Sequence, residues 1–176
     1  QHPAFLPHLL NRGSVRLRDH HGSDVTASMR EAGPNLSGLD PKRYAEVVFC
    51  GYGEPLLRLD VVKAVAVEVK QRGGRVRIDT NGHANLINKR NVLPELAGLV
   101  DAISISLNAQ NAELYNKVSQ PQFGIATYDA VKEFIGEAVK YIPEVTATVV
   151  TLPEVDLEAC RKIADSLEPR PYSSRE

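Results

Sequence analysis

Residues 46–55 join a short apolar run to a tight loop. The run Glu46–Cys50 (EVVFC) is apolar at four of its five positions, and the sequence GYGEP follows at 51–55. This order predicts a buried strand, a turn and then a helix. The two glycines permit positive φ angles and let a ligand approach the backbone closely. Because binding sites gather at the carboxyl ends of strands in α/β sheets and barrels, this loop is either a ligand site or an ordinary strand-to-helix turn.

From residue 44 onward, strand-like and helical patterns alternate along the chain. Each strand and its helix take about thirty residues, which is typical of βαβ units with a parallel sheet. The predicted strands are 46–50, 75–80, 101–107 and 145–151. The predicted helices begin near Asp60, lie around 93–99, 112–118 and 128–141, and begin again after Asp156. The sequence therefore predicts an α/β fold.

The predicted strands are apolar on one face only. In the third strand Ser104 and Ser106 alternate with Ile103 and Ile105, and Arg77, Asp79, Thr146 and Thr148 alternate with apolar residues in its neighbours. A parallel strand covered by helices on both faces should be apolar on both. A barrel-like sheet with helices outside and a polar, partly open lumen explains the pattern, and such a lumen suits a polar ligand. An antiparallel sheet with one solvated face is the alternative, and the helical crossovers count against it.

The first 39 residues differ from the rest of the chain. They contain three prolines and no sustained periodicity, so we expect an irregular or weakly ordered arm. The predicted organisation is this arm at 1–39, a partial barrel domain at 40–168 and a tail at 169–176. His20 and His21 lie between Asp19 and Asp24, but their spacing is not that of a metal site, so a solvated loop is favoured and no metal ligand is assigned.

Composition narrows the class of protein. With 176 residues and 43% hydrophobic content, the chain is long enough for one domain with a substantial core. A net charge of −1 gives no nucleic-acid signature. No apolar run reaches the roughly 18 residues that span a membrane, and no signal peptide is recognisable. Two cysteines more than a hundred positions apart indicate a reduced, cytoplasmic protein.

Three motifs together resemble a known family. They are CGYGEP at 50–55, DTNGHANLI at 79–87 and VDAISISLNA at 100–109, followed by Tyr115, Pro121, Phe123, Gly124 and Tyr128. Over residues 39–167 the chain resembles the radical S-adenosylmethionine (radical SAM) superfamily, and within it the proteins associated with TatD-family nucleases. The resemblance implies an incomplete (β/α) TIM-like barrel of about four βα units that binds S-adenosylmethionine and a [4Fe-4S] cluster. It also implies an oxidoreductase that cleaves S-adenosylmethionine reductively to a 5′-deoxyadenosyl radical.

The resemblance also implies a set of cofactor-binding residues. The methionyl end of S-adenosylmethionine would contact Gly51, Tyr52, Gly53 and Glu54. The ribose and carboxylate would face Asn81, Gly82, Ser104, Ser106 and Asn108. Ser104 and Ser106 already lie on the polar face indicated by the alternation, although small-residue packing inside a barrel is the alternative for both. No catalytic residue is identified, and the sequence does not name the substrate.

The cluster ligands of the family are not matched. Three cysteines in the order Cys-x3-Cys-x2-Cys would hold the [4Fe-4S] cluster and leave one iron open for the cofactor. The sequence contains only Cys50, at the end of a predicted strand, and Cys160, on the apolar face of the last predicted helix. We therefore expect a truncated, frame-shifted or diverged member of the family.

Three other functions remain open from the sequence. The chain could be a non-redox module that binds S-adenosylmethionine or another nucleotide. It could be an ordinary (β/α)-barrel enzyme with Glu54 and Asp79 as acid–base groups, although no Gly-rich phosphate loop follows a late strand. It could also be a fragment whose exposed strand edges are covered by an oligomer or by a partner that completes the barrel.

Overall fold

The computed structural model describes residues 14–18, 24–28, 40–50 and 53–167. Its centre is one sheet of six strands in the order β2-β1-β3-β4-β5-β6. The strands are β1 Ser14–Arg18, β2 Asp24–Ser28, β3 Glu46–Cys50, β4 Val76–Thr80, β5 Ala102–Ser106 and β6 Glu144–Thr148. Strands β3 to β6 are parallel to one another, which confirms the predicted parallel sheet. Strand β1 is antiparallel to both of its neighbours.

Helices connect the parallel strands, as the sequence predicts. They are α1 Leu59–Gln71, α2 Ala84–Asn88, α3 Leu93–Leu96, α4 Ala112–Ser119, α5 Thr127–Ala138 and α6 Leu157–Leu167. The Asp156 carboxylate caps α6 by accepting a hydrogen bond from the Ala159 amide at 3.0 Å, as expected. The predicted cap Asp60 instead lies in the first turn of α1, where a carboxylate favours the positive end of the helix dipole. Helix α2 lies in a segment that was predicted to be a loop.

The N-terminal prediction is wrong for two short segments. Residues 14–18 and 24–28 form β1 and β2, whereas the sequence was expected to give an irregular arm. Each strand alternates polar and apolar residues over only five positions, SVRLR and DVTAS, which is too short to stand out as a period. Strand β1 pairs with the free edge of β3, so a contact distant in sequence stabilises it. The boundaries of the predicted arm, domain and tail stay predictions.

One face of the parallel sheet packs on the helices. Val47, Phe49, Ile78, Ile103 and Ile105 are fully buried on this face. They share one core with the inner sides of α1 and α5, which contribute Val62, Val65, Val131 and Phe134. Burial of these aliphatic and aromatic side chains removes apolar surface from water and is the main source of stability for such a layer.

The opposite face of β4, β5 and β6 is polar, as the alternation predicts. Asp79 lies opposite Ser104, and Ser104 lies opposite Thr146 on the other side. Ser106 lies opposite Thr148 in the next row. The result is a four-stranded parallel sheet with alternating helices on its apolar face, consistent with a partial (β/α) barrel. Among the described helices none has the length and apolar character needed to cross a membrane.

Candidate functional site

A cavity of about 500 Å³ opens on the polar face at the carboxyl ends of β3, β4, β5 and β6. Its position agrees with the general rule that ligands bind outside the carboxyl ends of parallel strands. Its volume lies within the range of small-molecule sites, which runs from roughly 300 to 1,000 Å³. The lining is predominantly polar, so the cavity suits a ligand with several hydrogen-bonding groups.

Four of the nine residues implied by the resemblance line this cavity. They are Gly53, Asn81, Ser104 and Ser106. Gly53 has a φ of 119°, which other residues rarely adopt, so the need for a glycine here is explained by backbone geometry. Gly51 and Tyr52 lie outside the described residues. These four residues come from the ends of β3, β4 and β5, and Thr148 at the end of β6 lines the same cavity.

The Glu54 carboxylate points into the protein and does not line the cavity. Its Oε1 accepts hydrogen bonds from the Leu56 amide at 3.0 Å and from Thr80 Oγ1 at 2.7 Å. Its Oε2 accepts one from the Asn81 amide at 2.8 Å. Burial raises the pKa of Glu54, and the hydrogen bonds from Asn81, Thr80 and Leu56 act in the opposite direction. Glu54 thus connects the loop after β3 to the loop after β4.

Gly82 and Asn108 also lie outside the cavity lining. Gly82 has a φ of 79°, and a Cβ built on it would lie 3.0 Å from Ile105 Cγ2 and 3.3 Å from the methyl groups of Val131. Gly82 therefore allows the loop to pack closely on the helical side of the sheet. Asn108 has a φ of 59°, and its Nδ2 donates to Ser119 Oγ at 3.4 Å. Both residues shape the loops beside the cavity.

The Asn81 side chain is held in a defined orientation. Its Oδ1 accepts a hydrogen bond from the His83 amide at 2.9 Å. Its Nδ2 has no hydrogen-bond partner in the part of the chain that the structure describes. Since Asn81 lines the cavity, this Nδ2 group is available as a donor to a ligand.

Behind this loop lies a buried pair of titratable side chains. His83 Nε2 is 2.8 Å from the Tyr115 hydroxyl, and the side chains are largely inaccessible to water. Burial lowers the pKa of His83 to about 4 and raises the pKa of Tyr115 to about 12. Both groups are therefore neutral at pH 7, and their hydrogen bond supports the loop without adding charge to it.

Two charged residues, Arg77 and Asp79, also line the cavity. Both belong to the polar face that the strand alternation predicts. Arg77 Nε donates to Glu46 Oε1 at 2.9 Å and to Oε2 at 3.0 Å. Its second contact is from Nη1 to Ser104 Oγ at 3.2 Å. Sequence reasoning missed the contact between Arg77 and Glu46, because no local pattern connects two residues on different strands.

The fold and the cavity define an α/β protein with a polar cavity at the ends of its parallel strands. The family model of the Radical SAM superfamily matches residues 28–167, which is more than half of the chain. The chain therefore belongs to the radical SAM superfamily. No curated protein and no solved structure matches it.

Membership of this superfamily implies binding of S-adenosylmethionine and of a [4Fe-4S] cluster. The residues of this chain fit the first group and do not fit the second. The hydroxyls, the amide and the positive-φ glycine of the cavity fit the polar groups of S-adenosylmethionine. The cluster needs three thiolates, and the sequence has two cysteines. Cys50 lines the cavity, whereas Cys160 is buried in the helical layer. In the described part of the chain no three His, Cys, Asp or Glu side chains form a metal-binding group. These residues do not fit the cluster.

Proposed function

We propose that this chain is the S-adenosylmethionine-binding part of a radical SAM protein with an incomplete TIM-like barrel, of the group associated with TatD-family nucleases. The observation that carries the proposal is the convergence of Gly53, Asn81, Ser104 and Ser106 on one cavity. The family resemblance had assigned the same four residues to the cofactor from sequence motifs, and the cavity supports that assignment.

The chemistry of the lining supports this ligand. The Asn81 Nδ2 group is a hydrogen-bond donor, and the Ser104 and Ser106 hydroxyls both donate and accept. A ribose offers hydroxyls, and an aminocarboxylate offers donors and acceptors, so both ends of S-adenosylmethionine find partners here. At Gly53 the missing side chain lets the ligand reach the backbone. These contacts would bind and orient the cofactor.

We assign binding, and not reductive cleavage, to the residues of this chain. In the superfamily a [4Fe-4S] cluster supplies the electron that cleaves S-adenosylmethionine, and three thiolates hold that cluster. The available cysteines do not fit such a cluster, so the donor set favours a non-redox binding module. The radical reaction remains an implication of family membership.

Isothermal titration calorimetry with S-adenosylmethionine tests the proposal. We expect micromolar binding by the purified protein and at least tenfold weaker binding by Ser106→Leu and Gly53→Val, because both changes place carbon atoms in the cavity. Ser166→Leu is the matched serine control, since Ser166 is exposed on α6. Gly98→Val is the matched glycine control, since Gly98 also has a positive φ and has open space around its Cα. A folded wild-type protein that does not bind would contradict the proposal.

A reconstitution experiment separates binding from radical chemistry. The protein is incubated with iron and sulfide without oxygen, and its visible spectrum is recorded after desalting. We expect no thiolate-to-iron charge-transfer absorption, because three suitably placed thiolates are needed. A stable iron–sulfur absorption that depends on Cys50 would contradict the non-redox assignment and would favour an enzyme.

The edge of β6 supports a proposal about assembly. Among the described strands β6 pairs only with β5, so its outer edge carries unpaired backbone groups. We expect a second copy of the chain, or a partner that completes the barrel, beside this edge. Light scattering after size-exclusion chromatography would detect the oligomer, and a monomer at all concentrations would exclude the second copy.

A further inference from the structure

We propose that the groove between α2 and α5 is a second ligand site, which binds a small zwitterion through Lys89 and Glu133. The groove forms a cavity of about 480 Å³ on the helical side of the sheet. Small-molecule sites have volumes of roughly 300 to 1,000 Å³, and this cavity lies within that range. The inference does not rest on the proposed function, because it concerns a different cavity and a different ligand.

Two helical segments form the walls of the groove. The first wall includes Leu86 of α2 and Lys89, which follows that helix. The second wall includes Ala130, Glu133 and Glu137 of α5. These three residues are three and four positions apart, so they share one face of the helix. The groove therefore combines charged groups with the short apolar side chains of Leu86 and Ala130.

Hydrogen bonds set the spacing of the two walls. Asn85 Oδ1 accepts from the Val92 amide at 2.9 Å, which fixes the segment after α2. Asn91 Nδ2 donates to Glu137 Oε1 on α5 at 3.3 Å and so bridges the walls. Since the walls are already joined in the protein alone, a ligand that binds between them orders little additional freedom.

Two of the charges that line the groove have no partner of their own. Arg90 pairs with Glu95, and Glu137 pairs with Lys140. In the part of the chain that the structure describes, the Lys89 ammonium and the Glu133 carboxylate make no hydrogen bond or ion pair. They carry opposite charges and line the same cavity, yet they do not approach within the roughly 4 Å of an ion pair. A space that a ligand can bridge therefore separates them.

The backbone at Lys89 supports a role for its side chain. Lys89 ends α2 with a φ of 53°, in the left-handed region. Glycine or asparagine usually occupies this position at the end of a helix. A lysine is disfavoured there, and residues held in such conformations are concentrated at functional sites.

These features define the class of ligand. An ammonium group can contact Glu133 while a carboxylate contacts Lys89, and the apolar side chains can contact the carbon atoms between them. The lining holds two basic and two acidic side chains, so a ligand with a net charge gains no advantage from it. The ligand is therefore a small zwitterion of the amino-acid type.

Nuclear magnetic resonance of the full chain provides the test. The zwitterions from β-alanine to 6-aminohexanoate, which differ in the separation of their charges, are titrated into the ¹⁵N-labelled protein. The member that binds most tightly is compared with the dicarboxylate and the diamine that have the same number of carbon atoms. We expect saturable shifts at the Leu86 and Ala130 amides, and at least fivefold weaker binding of both comparison molecules. Shifts that do not saturate, or that occur at the Ser104 and Ser106 amides instead, would overturn the proposal.

Charge reversal decides whether Lys89 and Glu133 bind the two ends of the ligand. In Lys89→Glu and in Glu133→Lys one attraction becomes a repulsion, so we expect each variant to bind the zwitterion at least fivefold more weakly. The preference should also change: Lys89→Glu should bind the diamine best, and Glu133→Lys should bind the dicarboxylate best. The double variant again has one charge of each sign, and its affinity for the zwitterion should return to within threefold of the wild type.

Matched controls separate this effect from general surface charge. Lys117→Glu and Glu113→Lys reverse charges on α4 that line neither cavity, and their affinity for the zwitterion should equal that of the wild type. Equal affinity in Lys89→Glu, Glu133→Lys and the wild type would overturn the proposal. A double variant that binds no better than the single variants would overturn it as well. The calorimetric titration with S-adenosylmethionine reports on the first cavity, so the two proposals are decided separately.

Discussion

Glu54, at the scale of a single residue, is a motif residue whose carboxylate joins two loops of the protein. The motif around it led to the expectation that its carboxylate contacts the cofactor. In the structure the residue is 6% exposed, and its carboxylate accepts three hydrogen bonds from the two segments that it connects. Its position therefore fixes Gly53 and Asn81 relative to each other.

Glu54→Gln tests this role. The glutamine oxygen can accept from Leu56 and Thr80, but its Nε2 donor would face the Asn81 amide, which is also a donor. One buried donor would remain unsatisfied, so we expect a loss of about 1–3 kcal/mol in the free energy of unfolding. Urea denaturation measures the change, with the exposed mid-helix change Glu133→Gln as the control. If the Glu54→Gln protein is as stable as the control, the Glu54 carboxylate does not stabilise the two loops that it connects.

His83 gives a prediction about pH. Its pKa in the folded protein is about 4, below the ordinary value of 6.5, because burial disfavours the charged imidazolium. The unfolded chain therefore binds a proton at higher pH than the folded chain does, and stability is lost as the pH falls from 6.5 towards 4. Relative to His83→Gln, we expect the wild type to lose about 2 kcal/mol more between pH 7.5 and pH 5.

Denaturant titrations at the two pH values measure this difference. Glutamine is a suitable replacement, because it can still form a hydrogen bond with the Tyr115 hydroxyl and does not titrate. Comparison with this variant removes the contribution of the carboxylates, which titrate in both proteins. An equal loss of stability in the two proteins would mean that the His83 imidazole is solvated.

At the scale of the elements, the period of the sequence predicted the parallel strands well. β3 has the predicted bounds, and β4 and β5 lie within the predicted runs 75–80 and 101–107. β6 begins one residue before the predicted run 145–151 and ends three residues before its end. β4, β5 and β6 alternate apolar and polar residues, and β3 is a short apolar run. Helical patterns separate the four strands, so local information was sufficient. For β1 and β2 local information was not sufficient, because an alternation over five residues is common by chance. These segments form strands because β1 pairs with β3 and β2 pairs with β1.

The residues of the candidate cavity were predictable where they lie on strands and were not where they lie in loops. Ser104 and Ser106 followed from alternation, because every second residue of a strand faces the same side. Loop residues have no such rule, so the directions of Glu54, Gly82 and Asn108 depended on contacts that the sequence does not specify. The role of Arg77 depended on Glu46, a residue 31 positions away that only the sheet brings near.

Gly82 yields a prediction about the packing of its loop. Gly82→Ala introduces a Cβ at a positive φ and brings it against Ile105 and Val131. Gly98→Ala introduces a Cβ at a similar φ, 74° against 79°, with no atom within 4 Å. The free-energy cost of placing a Cβ at a positive φ is therefore common to both variants, at about 1–2 kcal/mol. We expect Gly82→Ala to cost about 1–3 kcal/mol more, because overpacking adds to that term.

Urea denaturation of both variants measures the packing term as a difference. S-adenosylmethionine affinity measured on the same samples gives a second readout. If Gly82 shapes the loop and does not contact the ligand, a folded Gly82→Ala protein should lose affinity by less than Ser106→Leu does. Equal stabilities of the two glycine variants would contradict the close packing of the loop on α5.

At the scale of the whole molecule, two cavities of similar size lie on opposite sides of the sheet. The first is the polar cavity of about 500 Å³ at the strand ends, and the second, of about 480 Å³, is lined by Gly82, Lys89, Arg90 and Glu137 among others. The first is built from the ends of several strands, whereas the second lies between the α2 region and α5. Their volumes are nearly equal, so volume does not show which cavity binds the ligand. The test is which cavity, when a substitution blocks it, no longer gives ligand-induced stabilisation.

The rise in Tm on ligand binding shows which of the two cavities binds the ligand. A ligand that binds only the folded protein adds about 2.7 kcal/mol at a concentration of 100 times its Kd. For a chain of this length each kcal/mol raises Tm by roughly 2–4 °C, so S-adenosylmethionine at that concentration should raise Tm by about 5–10 °C. The rise should vanish in Ser106→Leu and persist in Ser166→Leu, since only Ser106 lines the first cavity. A rise that survives Ser106→Leu but is abolished by Ala130→Trp, which fills the second cavity, would place the ligand on the helical side. The polar residues at the strand ends would then have no part in binding it.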